Sequence, residues 1–363
     1  MKSIRSRKLG VALAGCGHVA AAYVRQLRNH PGLQLVGVAG RGPDRARQFA
    51  AEHGLRAYGS LAEMLADPTV DLVVNLASHT AHAEVTEQCL RAGRHVYSEK
   101  PLALDHATAR RLVALARRRG LRLGCAPSTF LGEAHQTAGK IVRSGRIGPI
   151  RVIYAEVNHG RIEWYHPAPE PFFAVGPLWD VSVYPLTAIT ALFGPVVSAR
   201  GWGRVVLSRR VAKGGRKFRI ASPDFVVAWL ELASGPVVRL TANFYVDRDR
   251  SKGGGSLEYH GDDGRIFTGD FQLFDAPVEC ATGREPYAPV TPLRAPFAGV
   301  EFGRGVAEMV EAIHAGRPHR ATGEHAAHVV EVVEAIQRSI AQTGGAVQVR
   351  SKFSPPAPMA WAE

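Results

Sequence analysis

The chain has 363 residues, 46% hydrophobic and 21% charged, a globular composition whose length predicts two domains. No apolar run approaches the roughly 18–20 residues that span a bilayer as a helix. Glycine (38) and proline (23) fall without a period, which excludes collagen-like and low-complexity classes. Lys+Arg 45 against Asp+Glu 32 gives +13. The four cysteines, Cys16, Cys89, Cys125 and Cys280, are far apart, which argues against a disulfide scaffold or zinc ribbon and predicts a reducing compartment, the cytoplasm.

The basic excess gathers in residues 1–8, 110–122 and 209–219, and only 8 of the 45 cations are lysines. Such a field draws anions, nucleic acid among them. The arginines of 110–122 share a predicted helix with Leu112, Val113, Leu115 and Ala116, so they read as the outer face of a packed helix. No aromatic residue interleaves them, as a strand-binding surface would require. The expectation is a solvated surface with neither a nucleic-acid nor a membrane partner.

In chain order, Leu9–Ala14 is a short apolar run that suits a buried parallel strand. It ends in Gly15-Cys16-Gly17-His18-Val19-Ala20, a G-x-G-x-x-A turn. Ala20, Val24 and Leu27 then share one helix face, and Leu33–Ala39 is a second strand. Leu13–Cys16 after a basic start also resembles a lipoprotein cleavage box, but the apolar stretch before it is short for a secretory segment. Strand, glycine turn, helix, strand is the dinucleotide-binding unit and uses the same residues better. Gly15 permits the tight turn and Gly17 lets a pyrophosphate approach. Ala20 allows close packing, and the N–H groups near His18 and Val19 face the phosphates. An acid that holds an NAD ribose is expected about 20 residues on. Gly40 and Arg41 stand there instead, which predicts NADP over NAD, with Arg41 gripping the 2′-phosphate.

Helices 43–54, 60–66, 80–92 and 105–120 then alternate with strands near 56–58, 71–77, 95–97 and 121–125. That pattern predicts a doubly wound parallel sheet, a Rossmann α/β domain over 1–126. Ligands bind at the C-terminal ends of such strands, so Ala77, Ser78, His79 and His82 and the stretch Ser98-Glu99-Lys100-Pro101 are cofactor-site candidates. From 150 onward strand-like runs at 150–158, 197–207, 224–232, 236–245, 255–260 and 264–268 are interrupted by one helix, 178–193. Helices at 305–315 and 324–342 close the chain. The prediction is an α+β domain over 127–350 with a largely antiparallel open sheet, followed by a loose tail, 351–363.

Several motifs fall in a recognisable order. Gly15–Ala20 opens the chain, Gly93-Arg94-His95-Val96-Tyr97-Ser98-Glu99-Lys100-Pro101 resembles an "hV..EKP" box, and Gly176-Pro177-Leu178-Trp179-Asp180-Val181-Ser182-Val183-Tyr184 resembles a "G-G-x-x-x-D-x-G-x-H/Y" box. Gly316-Arg317-Pro318 through Ile336 is similar to a closing helix pair. Over nearly its whole length the chain resembles the glucose–fructose oxidoreductase / inositol dehydrogenase (Gfo/Idh/MocA) family. The resemblance implies NAD(P)-dependent redox chemistry at a carbon of a sugar, nucleotide-sugar or cyclitol, and a homo-oligomer built through the C-terminal sheet. It maps the box lysine to Lys100, the acid to Asp180 and the His/Tyr position to Tyr184, and it implies that the Lys100–Pro101 bond is cis. The chain departs from the family at Ala174-Val175, at Ser182 and at Ala77-Ser78, where glycines or Thr-Pro are usual.

The residues suit that chemistry. Hydride transfer at a C–OH needs a group that moves the hydroxyl proton. Tyr184 serves if a cation draws down its pKa, about 10 unperturbed, and Lys100 is the candidate cation and alkoxide partner. Asp180, four residues before Tyr184, would orient hydroxyls or pair with Lys100, although it also suits the first turn of a helix. Asn158, His159, Trp164, Tyr165 and His166 offer stacking and hydrogen bonding for a sugar ring, or an ordinary surface loop. His325 and His328 have no evident acid or thiol partner, so no metal site is expected. Three activities stay open: an oxidoreductase, a lyase or hydrolase that recycles bound NAD, and a nucleotide-binding regulator.

Overall fold

The computed structural model describes residues 7–247 and 254–363. Lys2 and Arg5 of the first basic stretch lie outside them. Contacts divide the chain into two compact units, Met1–Ser128 with Glu301–Val330, and Thr129–Val300 with Glu331–Glu363.

The first unit alternates strands β1 (Leu9–Ala14), β2 (Leu33–Ala39), β3 (Arg56–Ala57), β4 (Leu72–Asn75), β5 (His95–Ser98) and β6 (Leu123–Cys125) with helices α1 (Ala20–Leu27), α2 (Pro43–His53), α3 (Leu61–Ala66), α4 (His82–Arg91) and α5 (His106–Arg118). Among the described residues these strands form a six-stranded sheet in the order β3-β2-β1-β4-β5-β6, parallel throughout. β1 is buried along its whole length, as a parallel strand covered on both faces must be. α1 buries Ala20, Tyr23, Val24 and Leu27, the helical spacing legible in the sequence. α5 starts where the Asp105 carboxylate accepts the Thr108 N–H at 2.7 Å. It buries Ala109, Leu112, Leu115 and Ala116 and leaves Arg110, Arg111, Arg117 and Arg118 in solvent. Residues 301–330 complete the unit: a Cβ on Gly305 would overlap Tyr97, and His319 Nε2 faces the Leu123 carbonyl at 3.0 Å.

The strand order reverses at β1. Ala14 pairs with Asn75 of β4, so the loops after β1 and β4 emerge side by side. That is the switch point where open α/β sheets bind ligands.

The second unit carries β7 (Ile150–Asn158), β8 (Val196–Arg204), β9 (Arg209–Val211), β10 (Lys217–Arg219), β11 (Phe225–Leu232), β12 (Val237–Asn243), β13 (Gly255–Gly261), β14 (Gly264–Thr268), β15 (Val278–Thr282), β16 (Ala288–Pro289) and β17 (Val347–Gln348). β9 and β10 form a separate hairpin. Among the described residues the rest make a nine-stranded sheet in the order β16-β15-β14-β13-β7-β12-β11-β8-β17, antiparallel except for the β7–β12 pair. Helices α6 (Glu133–Arg143), α7 (Glu170–Pro177) and α8 (Val183–Phe193) belong to this unit.

The sequence-based expectation lacks α7 and strands β9, β10, β15, β16 and β17, and three further features differ from it. α6 is not among the predicted helices: its apolar stripe is only Ala134, Ala138 and Ile141, and it also buries Glu133, His135, Gln136 and Thr137. The predicted helix 178–193 is a π turn, Leu178–Ser182, that runs into α8, and the Ser182 hydroxyl reaches back to the Pro177 carbonyl at 3.1 Å. Glu170–Phe193 is apolar and long enough by composition to cross a bilayer, but Gly176 (φ 76°, ψ 173°) breaks it and most of it is buried. The tail is also not loose. Gln136 accepts the Met359 N–H at 3.0 Å, Arg143 donates to the Ala362 carbonyl at 2.9 Å, and Trp361 lies under the Arg294 guanidinium at 4.0 Å.

Candidate active site

The glycine turn sits at the switch point. Gly15 has φ 124°, a conformation glycine adopts freely, and its N–H donates to the Ala39 carbonyl at 2.7 Å. A Cβ there would lie 2.5 Å from the Leu76 carbonyl oxygen, so the turn is pressed against the loop after β4. Gly17 is the reverse case: a Cβ on it meets nothing within 4 Å. Val19 caps α1 without a side-chain hydrogen bond, and the N–H groups of His18 and Val19 find no acceptor among the described residues. Open space before unused N–H groups at a helix start is a cradle for a diphosphate, so these residues fit a dinucleotide.

Gly40 packs beside Cys16, where a Cβ would come within 3.2 Å of the thiol sulfur. Arg41 follows, exposed in the loop before α2. The next acid, Asp44, is held by Arg47.

The loop after β4 is fixed from below. Buried Asn75 donates to the His82 carbonyl at 2.9 Å and to the Thr86 hydroxyl at 3.0 Å, and accepts the Ala77 N–H at 3.2 Å. His82 is buried between two carbonyl oxygens, Pro101 at 2.8 Å and Ala77 at 3.0 Å. Burial pulls the ring's pKa down, against the pull of the Pro101 carbonyl, Glu99 and the Ala77 carbonyl. His82 therefore ties the Ala77-Ser78 loop to the Lys100-Pro101 loop. Ser78 is exposed, its hydroxyl 3.2 Å from that of Thr80.

Glu99 has protein donors on both oxygens. The Tyr23 hydroxyl donates to one at 2.7 Å and the Lys100 N–H to the other at 3.0 Å. The Glu99 N–H in turn donates to the Asn75 carbonyl at 2.8 Å. Lys100 is half-buried after β5, and its bond to Pro101 is cis. The structure thus gathers the glycine turn, the Ala77 loop and the Glu99–Pro101 loop at one end of the parallel sheet. Tyr23 and Asn75, which hold these loops, carry no sequence signal beyond a buried helix face and a strand end.

In the second unit Asp180 lies in the π turn and Tyr184 in the first turn of α8, both half-buried. A π turn inserts a residue into the helix and re-aims the side chains on it. The Tyr184 ring lies 6.4 Å from that of Phe271, whose carbonyl oxygen is 2.9 Å from His135 Nε2. β12 packs against this turn. At the end of β7, the Asn158 side-chain oxygen accepts from Asn243 at 2.8 Å, and His159 stands 5.5 Å from the Phe244 ring. Trp164 and Tyr165 are exposed, and His166 packs on Phe172.

Within the basic run 209–219 one residue is not at the surface. Arg210 is fully buried and pairs with buried Glu163, at 2.5 Å, and Asp224. Its position in a charge-rich stretch hid this role.

The sequence matches the family profile described as "Oxidoreductase family, NAD-binding Rossmann fold" over residues 9–126 and the "GFO/IDH/MocA C-terminal domain" over 135–267. The chain belongs to the Gfo/Idh/MocA oxidoreductase family, and its first unit is the NAD-binding Rossmann domain. It is similar to the trans-1,2-dihydrobenzene-1,2-diol dehydrogenase of Bos taurus, 33% identical over 185 residues, which is 50% of this chain and 55% of that protein. The chain thus spans about half the length of the curated relatives it first matches. Among solved structures it resembles an NAD binding oxidoreductase from Klebsiella pneumoniae (TM-score 0.82, 20% identity, 94% of this chain and 99% of that one). It also resembles levoglucosan dehydrogenase in complex with NADH and L-sorbose (TM-score 0.82, 19% identity, 95% and 99%).

Proposed function

We propose that this chain is an NAD(P)-linked dehydrogenase or reductase that acts on a hydroxyl or keto carbon of a sugar, nucleotide-sugar or cyclitol, with NADP the preferred cofactor. The observation that carries the reading is the diphosphate cradle: open space at Gly17 before the unused N–H groups of His18 and Val19, at the sheet's switch point. The relatives named for a cyclic diol and for levoglucosan support the substrate class.

The Gly15–Ala20 turn would hold the cofactor's diphosphate, and exposed Arg41 its 2′-phosphate. A bound nicotinamide supplies the hydride acceptor or donor. Tyr184 moves the proton of the substrate hydroxyl at its phenolic oxygen. The Lys100 ammonium stabilises negative charge on the substrate oxygen. Asp180 orients neighbouring hydroxyls through its carboxylate. His82 and Glu99 hold the loop that carries Lys100.

The partner we propose is a second copy of this chain, in the cytoplasm, through the open face of the nine-stranded sheet. Register places Arg200, Trp229, Arg239, Tyr154, Glu258, Phe267 and Glu279 in one row across it, basic at one end and acidic at the other. A two-fold axis through such a row sets each basic end on the partner's acidic end. The exposed arginines of α5 read as surface charge, and we assign them neither nucleic acid nor membrane.

The test is a screen of sugars and polyols with NAD⁺ and NADP⁺, followed at about 340 nm. Net cofactor reduction with one substrate class is expected. Product formation without net reduction would overturn the reading in favour of recycled cofactor.

A further inference from the structure

The segment after β7 carries a feature that the proton-transfer residues do not use. The Arg161 guanidinium lies 4.9 Å from the centroid of the Trp164 ring and 4.6 Å from that of Tyr245. Trp164 and Tyr165 are 56% and 53% exposed and Tyr245 is 38% exposed, so aromatic surface stands open beside this cation. The acids closest in sequence to it are taken: Glu163 pairs with Arg210, Glu156 with Arg239 and Glu170 with Arg216. Among the described residues no carboxylate pairs with Arg161.

The clamp is built on rigid supports. Glu163 is buried on Arg210, which fixes the turn Ile162–Trp164 from beneath. Buried Asn243 accepts the N–H groups of Tyr245 at 3.1 Å and Val246 at 2.6 Å, and donates to Asn158 at 2.8 Å. The strand that ends at Asn243, β12, packs against the π turn of Asp180. The basic hairpin β9–β10 packs on the Ile162–Trp164 turn and leaves Arg209, Lys213, Lys217 and Arg219 exposed.

A guanidinium stacked on rings keeps its edge donors for a ligand. Those planar, paired N–H groups match the two oxygens of a carboxylate or phosphate. Stacking also limits the side-chain freedom lost on binding. We propose that Arg161 determines specificity: it takes an anionic substituent, carboxylate or phosphate, of the sugar-like substrate, with the Trp164 ring against the sugar. The inference rests on the oxidoreductase reading above and narrows its substrate class to acidic or phosphorylated sugars.

The experiment compares paired substrates, glucose with glucuronate and glucose with glucose 6-phosphate, in the full-length protein with both cofactors. The parent should favour one acidic member over glucose by about tenfold or more in kcat/KM, the scale of one charge-assisted contact. Whichever arm shows the preference identifies carboxylate or phosphate. In Arg161→Ala the ratio should fall to near one, and Arg161→Lys should restore only part of it, because an ammonium keeps the charge but not the paired edge. Arg118→Ala, on the outer face of α5, should leave the ratio unchanged and so exclude the overall +13 field as the cause. A parent that prefers glucose, or an Arg161→Ala variant that retains the parent ratio, overturns the proposal. If no sugar is turned over, the oxidoreductase reading fails by itself. Calorimetric titration of the parent and Arg161→Ala with glucuronate and with glucose 6-phosphate then decides the anion site. Binding lost in the variant supports it, and binding absent from the parent or equal in both overturns it.

Discussion

The Tyr23 hydroxyl donates to Glu99 at 2.7 Å, and the other oxygen of that carboxylate accepts the Lys100 N–H at 3.0 Å. One acid therefore joins the helix behind the glycine turn to the loop that carries the candidate catalytic lysine. Tyr23 is fully buried, so Tyr23→Phe leaves the ring's packing and removes only the donor. The loss should be about 1–3 kcal/mol in urea unfolding, the cost of an unmet hydrogen bond to a charged group. A smaller fall in kcat than that of Lys100→Ala should accompany it. Unchanged stability would show that Glu99 does not depend on this bond.

Arg41 stands exposed where an NAD-specific site places an acid, and Asp44 beyond it is held by Arg47. Arg41→Ala should weaken NADP(H) by about 1.5–3 kcal/mol and leave NAD(H) nearly untouched. Fluorescence titration with both reduced cofactors measures this. Equal losses, or tighter NAD(H) than NADP(H) binding in the parent, would remove Arg41 from cofactor choice.

Tyr184→Phe should slow the hydride step by roughly 10²–10⁴, the worth of a positioned acid–base group, while folding and cofactor binding persist. Lys100→Ala should cost at least as much, and the double variant much less than the product of the two. The pH profile discriminates: if Tyr184 moves the proton, the basic limb vanishes or shifts in Tyr184→Phe. A near-parent kcat with an unchanged profile would pass the role to Lys100.

Much of this was legible in the sequence, for physical reasons that also mark its limits. Local patterns carried the first unit: β1 is an apolar run because both its faces are covered, and α1 buries Ala20, Tyr23, Val24 and Leu27 because it packs on one side. The glycine turn could be read because Gly15 and Gly17 meet different demands, backbone conformation and open space. What escaped depends on distant partners. α6 hides polar residues under chain from far away, with the Arg294 side chain on Glu133 and the Met359 N–H on Gln136. The Arg161 clamp needs Tyr245, 84 residues on, which no periodicity connects. The π turn at Asp180 reads as ordinary helix, since one inserted residue leaves the apolar pattern nearly intact.

Two histidines of the first unit should make the protein acid-sensitive. Burial holds His95 at about 4, with Arg122 adding to the shift, and His325 at about 3, with His328 adding to it. Both values lie below the unfolded value of about 6.5. Between roughly pH 6.5 and 3 the unfolded chain therefore binds protons that the folded chain refuses, and stability falls as pH falls. Urea unfolding from pH 7 to 5 should show a loss on the order of 2–4 kcal/mol for the pair, and His325→Gln should flatten the slope. A parent slope near zero over that range would contradict the assignment.

Arg210 gives the sharpest stability test. Its side chain and that of Asp224 are 0% exposed and that of Glu163 is 3% exposed, so one buried cation faces two buried carboxylates. Asp224 is further satisfied by the Val206 N–H at 2.6 Å, while the second oxygen of Glu163 has no hydrogen-bond partner among the described residues. Arg210→Met keeps much of the packing volume on Phe173, whose ring lies 4.5 Å from the guanidinium, but strands two carboxylates in the interior. The cost should be about 3–5 kcal/mol at pH 7, the usual penalty for breaking a buried pair from one side. Protonation offers the variant an escape that the parent does not need. The difference between variant and parent should therefore narrow as pH falls from 7 toward 5, since the stranded carboxylates take up protons in the folded state. Adding Glu163→Gln and Asp224→Asn to Arg210→Met should recover part of the loss at pH 7 by removing the uncompensated charge. Unfolding curves of the three proteins (parent, Arg210→Met and the triple variant) across pH provide the measurement. A loss under about 1 kcal/mol, or one that does not change with pH, would mean that water reaches this cluster and that Arg210 does not anchor the Ile162–Trp164 turn.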